Sequence, residues 1–344
     1  MVGRSEREGR ALMMSAPIPF RLAGTGVALP CRRVPSAELD ALIGRPAGWT
    51  EANLAIAERR WAAPAETSSA LGTMAAQAAL ADAGIVPDDL DLIIGACAVM
   101  EQPIPGTAAL IQRRLGLGES GIPAFDVNAT CLSFLLALDH VLTGFALGKW
   151  RRALIVSADI ASAALDFSSP EASAIFGDGG AAAVIEAEGP HALLALRIAT
   201  YGSGADLCRL EAGGTRLRPH DDIDAFLAGS RFRMDGPGVF RATARRFPDF
   251  LGRLLVDAAT APEALATVIP HQASAAALEH LKRAIPDGHA RTVDIFRDHG
   301  NQIATSMPHA LHVARGEGRL APGSRSLLIG SSAGVSLGGA VIRW

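Results

Sequence analysis

The pattern that most restricts this chain is alternation. Short apolar runs, each able to form a buried strand, take turns with longer segments whose apolar residues recur at helical spacing. Thr67–Ala83 reads as a helix closed by Gly84, and Leu92–Val99 as a strand. Gly106–Leu115 reads as a helix, Ala124–Val127 as a strand, and Leu132–Leu147 as a long apolar helix stopped by Gly148. Ala153–Ser157 and Ala181–Glu186 read as strands. The second half continues alike, with a helix around Ala242, Phe247 and Leu251 and a strand at Ala266–Ile269. A helix at Ala273–Ala284, a strand at Thr292–Ile295 and a helix at Ile303–Ala314 follow. Strands at Ser326–Gly330 and Ala340–Trp344 close the chain. Strands separated by helices predict an α/β protein with a mostly parallel sheet in each half. The run Gly179-Gly180-Ala181-Ala182-Ala183-Val184-Ile185 is echoed by Gly338-Gly339-Ala340-Val341-Ile342, which points to an internal duplication. Gly202–Asp224 is polar and reads as a surface excursion.

A chain of 344 residues, 49% hydrophobic and 19% charged, has the material for a large core. Aromatics are only 5%, and the abundant small residues suit close helix–sheet packing. A net charge of -3 leaves no basic field for nucleic acid or an anionic membrane surface. No run is long and charge-free enough to span a bilayer. Residues 1–19 carry Arg4, Arg7 and Arg10 with a weak apolar patch at Ala11–Met14, and read as a flexible extension and not a secretory signal. The four cysteines, Cys31, Cys97, Cys131 and Cys208, form neither a CxxC pair nor a zinc pattern, so reduced thiols in a cytoplasmic protein are expected.

Three polar, reactive side chains occupy equivalent places. Cys131 follows a strand and immediately precedes a helix. Such an elbow exposes a side chain at the carboxyl edge of a sheet, where open α/β folds bind ligands. The helix N-terminus there favours a thiolate. His271, in Pro270-His271-Gln272, and Asn301, in His299-Gly300-Asn301, also lie between a strand and a helix. Singly, these are a buried thiol, a surface imidazole and a helix cap. Together they can converge on one mouth, as nucleophilic catalysis requires.

Other signals are weaker. Gly330-Ser331-Ser332-Ala333-Gly334 fits the G-x-S-x-G serine elbow, but only Val335–Trp344 remains to supply Asp and His partners, and that stretch reads as a strand. It is better read as a tight turn whose N–H groups face a reacting oxygen. Gly24-Thr25-Gly26 lacks the third glycine of a dinucleotide fingerprint, and Gly177-Asp178-Gly179-Gly180 precedes a strand instead of a helix. His309 and His312 share a helix face without an acidic partner pattern, so solvated or capping roles are expected and no metal site. Cys97 lies in an apolar run. Glu101 and Asp126 are possible bases, Asp126 reading more as a holder of backbone groups.

Together these segments resemble the ketoacyl-ACP synthase III branch of the thiolase superfamily, from about Arg21 to Trp344. The resemblance rests on Gly24–Pro30, on Ala124–Cys131 with Phe134, on Phe176-Gly177-Asp178-Gly179, on Pro270-His271-Gln272-Ala273 and on His299-Gly300-Asn301. It implies a thiolase-like five-layered αβαβα fold of two similar halves, 20–190 with the nucleophile and 191–344 with the histidine and asparagine. It implies a homodimer that takes acyl-CoA or acyl-carrier-protein thioesters and needs no other cofactor. Cys131 would be acylated, and His271 and Asn301 would hold a malonyl-type thioester through decarboxylation. The N–H groups of Cys131 and Ala333 would form the oxyanion hole, with Ile104 and Phe134 at the acyl pocket. Arg241, Arg245, Arg246, Lys282 and Arg283 are candidates for a carrier-docking patch.

The chain also departs from the family. Ser331-Ser332-Ala333-Gly334 stands where the family is glycine-rich, and Leu54-Ala55-Ile56 follows Trp49 in place of a Thr-Gly-Ile-Arg run. Ala276 and Asn53 stand where arginines that meet the carrier protein and the coenzyme A nucleotide are expected. The resemblance therefore implies a specialised fatty-acid or polyketide pathway instead of housekeeping initiation from acetyl-CoA. Ile104, where head-to-head condensing relatives resemble one another in a glutamate, argues against that subtype. Two other readings stand beside condensation: acyl transfer to an alcohol or amine, and a silent dimer partner.

Overall fold

The computed structural model describes residues 16–344. Most of the expected 1–19 extension therefore lies outside the described residues, and Ile18 and Pro19 already belong to the first strand. The first half supplies β1 (Ile18–Ala28), β2 (Leu92–Gly95), β3 (Ala124–Asp126), β4 (Arg152–Asp159) and β5 (Gly179–Ala187). The second supplies β6 (His191–Gly204), β7 (Leu265–Pro270), β8 (Arg325–Ser332) and β9 (Gly334–Arg343). The strands run in the order β7-β8-β9-β6-β1-β5-β4-β2-β3.

Both halves follow one plan. In the first, β1 pairs antiparallel with β5, β5 antiparallel with β4, and β4 and β3 each parallel with β2. In the second, β6 pairs antiparallel with β9, β9 antiparallel with β8, and β8 parallel with β7. A single parallel bridge from Val268 to Thr292 takes the place of β3. The echoed glycine-led runs are β5 and β9, in matching positions. The halves join where Ile18–Phe20 pairs with Leu193–His191.

Three expectations need correction. The sheets are mixed, because β4 returns to β5 through a loop holding only two short helical turns, Ala161–Ala164 and Pro170–Ser173, and a parallel return needs a longer crossover. Thr292–Ile295 makes one bridge and not a strand. The helix expected around Ala242–Leu251 is two helices, Gly236–Ala244 and Phe247–Asp257, divided where Pro248 enters the first turn of the second.

The helices that matter for the site are α1 (Ser68–Ala83), α2 (Thr107–Arg114), α3 (Ser133–Ala146), α4 (Gly236–Ala244), α5 (Phe247–Asp257), α6 (Ala275–Ala284) and α7 (Ser306–Gly316). Side chains alternate across each strand, and this sorts them into layers. Leu92, Ile94, Ile155, Ala183 and Ile185 face a central core with α3 and α7, joined from the other half by Ile269, Leu328, Ala340 and Ile342. Ile93, Leu154, Val156, Ala182 and Val184 face outward onto α1 and α2. Val268, Leu327, Ile329 and Val341 face outward onto α5 and α6. The result is helix, sheet, helix, sheet, helix: the five-layered thiolase-like arrangement. On α3, Leu135, Leu138, Val141 and Leu142 are at most 2% exposed, and each such burial is worth about 1.5–3 kcal/mol. Gly24 and Gly26 hold no dinucleotide. A side-chain carbon there would strike the backbone of Ala79 and Ala75, so the pair lets α1 lie directly on β1.

Candidate active site

The loop before α3 is a defined elbow. Asn128 Oδ1 accepts the Thr130 N–H at 2.9 Å, the Ala129 N–H donates to Ser133 Oγ at 3.0 Å, and Thr130 takes the left-handed conformation with φ 52°. Cys131 follows, half-buried, at the start of α3.

The loop before α7 repeats this construction. Asn301 Oδ1 accepts the Ile303 N–H at 2.8 Å, the Gln302 N–H donates to Ser306 Oγ at 3.0 Å, and Ile303 has φ 53°. Asn301 thus occupies the place of Asn128, and Ala304 that of Cys131. The shared pattern Asn-x-x-x-x-Ser is the one sequence signal that could have revealed the match. The backbone of Asn301 is held by the first half: its N–H donates to Ile175 O at 2.7 Å, and its carbonyl accepts from Gly177 N at 3.1 Å. One Nδ2 hydrogen goes to Ala273 O at 3.2 Å, leaving the second for a ligand.

Asp159, at the end of β4, ties the Asn301 elbow to the loop that follows β2, and nothing in the sequence singled it out. It is fully buried. Its Oδ1 accepts from Ala98 N at 2.8 Å and Val99 N at 2.7 Å, and its Oδ2 from Ala304 N at 2.9 Å. Burial raises its pKa to about 6 against the pull of those N–H groups. The same carboxylate acts electrostatically on Cys131.

His271 follows β7, is 5% exposed, and donates its N–H to Ile329 O at 2.9 Å. Gly330 makes its room: a side-chain carbon on Gly330 would lie 2.7 Å from His271 Cβ and 3.3 Å from Leu132 Cδ2. Leu132, the residue after Cys131, and the histidine therefore meet across Gly330, and the Ile303 main chain also reaches the imidazole. Burial lowers the His271 pKa to about 4, with Ile303 opposing, so the ring is neutral at neutral pH. Its Nδ1 has no hydrogen-bond partner. Burial also pushes the Cys131 thiol well up, helped by Asp159 and Cys208 and opposed by its own N–H. The expected depression by the helix is outweighed, and Cys131 rests as a thiol.

The remaining predicted residues separate. His271, Phe240, Ala277, Leu281, Gly330 and Ser331 line a narrow cleft of about 60 Å³ between α4 and α6. Phe134 is a core residue, 1% exposed, and lines neither this cleft nor the larger one. Ile104 is 86% exposed on the surface. Ala333 sits in the turn between β8 and β9, and no helix follows Ser332, so the hydrolase reading fails. Arg241, Arg245 and Arg246 line a cleft of about 530 Å³ on the other side of α4. Lys282 and Arg283 are engaged elsewhere, with Asp294 and Glu279, both at 2.7 Å. Asp126 accepts the Thr107 and Ala108 N–H groups at the start of α2, as expected, and Glu101 accepts the Ser69 N–H. His309 is buried and hydrogen-bonded to Gln302 instead of solvated, while His312 is half-buried and hydrogen-bonded to Thr25. Among the described residues no cluster of His, Cys, Asp and Glu is suited to a metal, and no helix is long and apolar enough to cross a membrane.

Residues 125–202 match the family model for 3-oxoacyl-[acyl-carrier-protein (ACP)] synthase III, and residues 255–344 match that for its C-terminal part. The chain is 34% identical to a beta-ketoacyl-[acyl-carrier-protein] synthase III of Rhizorhabdus wittichii over 93% of this chain and 98% of that one. The chain belongs to the 3-oxoacyl-[acyl-carrier-protein] synthase III family. The synthase is also 35% identical to the acetoacetyl CoA synthase NphT7 of a Streptomyces species, over 95% of this chain and 99% of the relative. Its fold superposes on the synthase III of Aquifex aeolicus with a TM-score of 0.84 at 30% identity, covering 94% and 100% of the two chains. It is a condensing acyltransferase of the thiolase superfamily.

Proposed function

We propose that Cys131, His271 and Asn301 carry a two-stage condensation, the half 20–190 loading the acyl group and the half 191–344 generating the carbon nucleophile. The observation that carries this reading is the pair of matched elbows, with the buried His271 packed on Gly330 beside Leu132 of the first and approached by the Ile303 main chain of the second. In the first stage Cys131 sulfur attacks the carbonyl of an acyl thioester, the bond to the donor thiol breaks, and that thiol leaves with the Cys131 proton. In the second, a malonyl-type thioester binds with its carbonyl oxygen facing His271 and the free Nδ2 hydrogen of Asn301. Loss of CO2 leaves an enolate whose oxygen those donors stabilise, each worth about 3 kcal/mol. A neutral imidazole suits this role, because it can donate one hydrogen bond without carrying charge into an apolar site. The enolate carbon attacks the acyl-cysteine, the N–H groups of Cys131 and Ala333 hold the new oxyanion, and its collapse expels the Cys131 thiolate. Atoms and electrons balance on the two thioesters, so no further cofactor is called for.

The same reading makes the protein a cytoplasmic homodimer. Its support for pairing with a second copy is β3, an edge strand bearing the exposed Phe125, together with the exposed apolar side chains of Met100 and Ile104. Ile104 would then close the partner's acyl pocket. Arg241 and Arg245 are the docking candidates for an anionic carrier. One relative is named for a carrier-protein synthase and another for a coenzyme A product, so either thioester fits. The test is purified protein with acyl-CoA and carboxyl-labelled malonyl thioester. The reading expects labelled CO2 and a 3-oxoacyl product from wild type and neither from Cys131→Ala; a product lacking a new carbon–carbon bond would refute it.

A further inference from the structure

The two elbows match in backbone but not in what lies beneath them. Under the first, Ala129 and Leu136 pack against the apolar core. Counting from the paired serines, their counterparts are Gln302 and His309, both buried, at 1% and 4% exposure. Gln302 Nε2 donates to Asp178 O at 3.0 Å, so its Oε1 is the atom 2.7 Å from His309 Nδ1. That nitrogen must therefore carry the proton. The amide is wedged on its other side: a side-chain carbon on Gly179 would lie 2.5 Å from Gln302 Nε2. The His309 ring is also backed by the His299 ring, 4.6 Å away, two residues before Asn301. Burying two polar side chains where the other half uses apolar ones is costly unless the geometry they impose is needed. Burial lowers the His309 pKa to about 3, with His299 and His312 adding to it, so the ring stays neutral and the bond persists across the working pH range.

We infer that His309 is a positioning residue: through its hydrogen bond to Gln302 it fixes the Asn301 elbow, and with it the carboxamide offered to the second thioester. This rests on the role proposed for Asn301. Cys131 has no such support and does not need it, because a single sulfur must only reach a carbonyl. A carboxamide must be aimed.

The test separates the half-reactions. Acylation of Cys131 is followed by intact mass, and decarboxylation by labelled CO2 from the pre-acylated enzyme. His309→Leu, which installs the residue found in the first half, is expected to lower decarboxylation about 10- to 100-fold while acylation stays within about 2-fold. His309→Asn, whose Nδ2 stands near the lost Nδ1, is expected to recover decarboxylation to within about 3-fold of wild type. His309→Met serves in place of His309→Leu if that variant does not fold. In an Asn301→Ala background the His309→Leu effect should vanish. The inference is overturned if both half-reactions fall together, if Asn behaves like Leu, if no rate changes, or if the loss persists without Asn301. Failure of the underlying reading shows differently: Asn301→Ala alone would then leave decarboxylation intact.

Discussion

The elbow before α3 and the elbow before α7 have the same Asx turn, the same left-handed residue and the same serine bond, yet they hold different chemistry. The first presents a thiol at its fourth residue. The second has Ala304 there, fully buried, and uses the asparagine that in the first elbow only shapes the turn. On the proposed reading, one scaffold serves a nucleophile in one half and an electrophilic donor in the other. The position matters because each elbow leads into a helix N-terminus. That setting suits developing negative charge, on sulfur in one half and on oxygen in the other.

Asp159 is where the comparison is easiest to break, since it is bonded to the second elbow through Ala304 and acts on Cys131 of the first only through its charge. Asp159→Ala leaves the Ala98, Val99 and Ala304 N–H groups without an acceptor. A loss of about 3 kcal/mol in urea unfolding is expected, with both half-reactions impaired. A loss under about 1 kcal/mol would mean that Asp159 does not hold the second elbow in place.

A second way to sharpen it is pH. Burial raises the Cys131 thiol, so alkylation by iodoacetamide should keep rising with pH beyond the range of an ordinary thiol. His271, lowered to about 4, is neutral above that value, so the acid limb it imposes on decarboxylation should fall near pH 4 and not near the usual 6.5. An imidazole limb near 6.5, removed in His271→Ala, would contradict the neutral ring.

The smallest effect tests the reach of the equivalence. Ala304→Cys in a Cys131→Ala chain places a thiol at the matching position, sealed at 0% exposure. No acyl adduct is expected by intact mass, and acylation of the introduced thiol would show the elbows to be interchangeable.

Much of this was legible in the sequence. Cys131 and His271 stand at strand-to-helix junctions, Asn301 follows the short helix Phe296–His299 in place of the expected strand, and the echoed Gly-Gly-Ala runs are matching strands. β6 went unread because His191–Gly204 begins with Ala and Leu, which suit a helix as well as a strand; only pairing with β1 and β9 decides between them. Pro248 itself marks the helix break, since proline suits only a first helical turn. Asp159, Gln302 and His309 were not legible as site residues, because their partners are backbone groups and side chains far along the chain. The pKa directions were equally hidden, since they depend on burial that spacing does not reveal.

The division of labour between the halves is tested most directly in one protein, His271→Ala/Asn301→Ala, incubated with an acyl-CoA and then with carboxyl-labelled malonyl thioester. The account predicts that the peptide bearing Cys131 gains the acyl mass while release of labelled CO2 falls at least about 100-fold. Undiminished CO2 release, or loss of the acyl adduct from a folded protein, would contradict it.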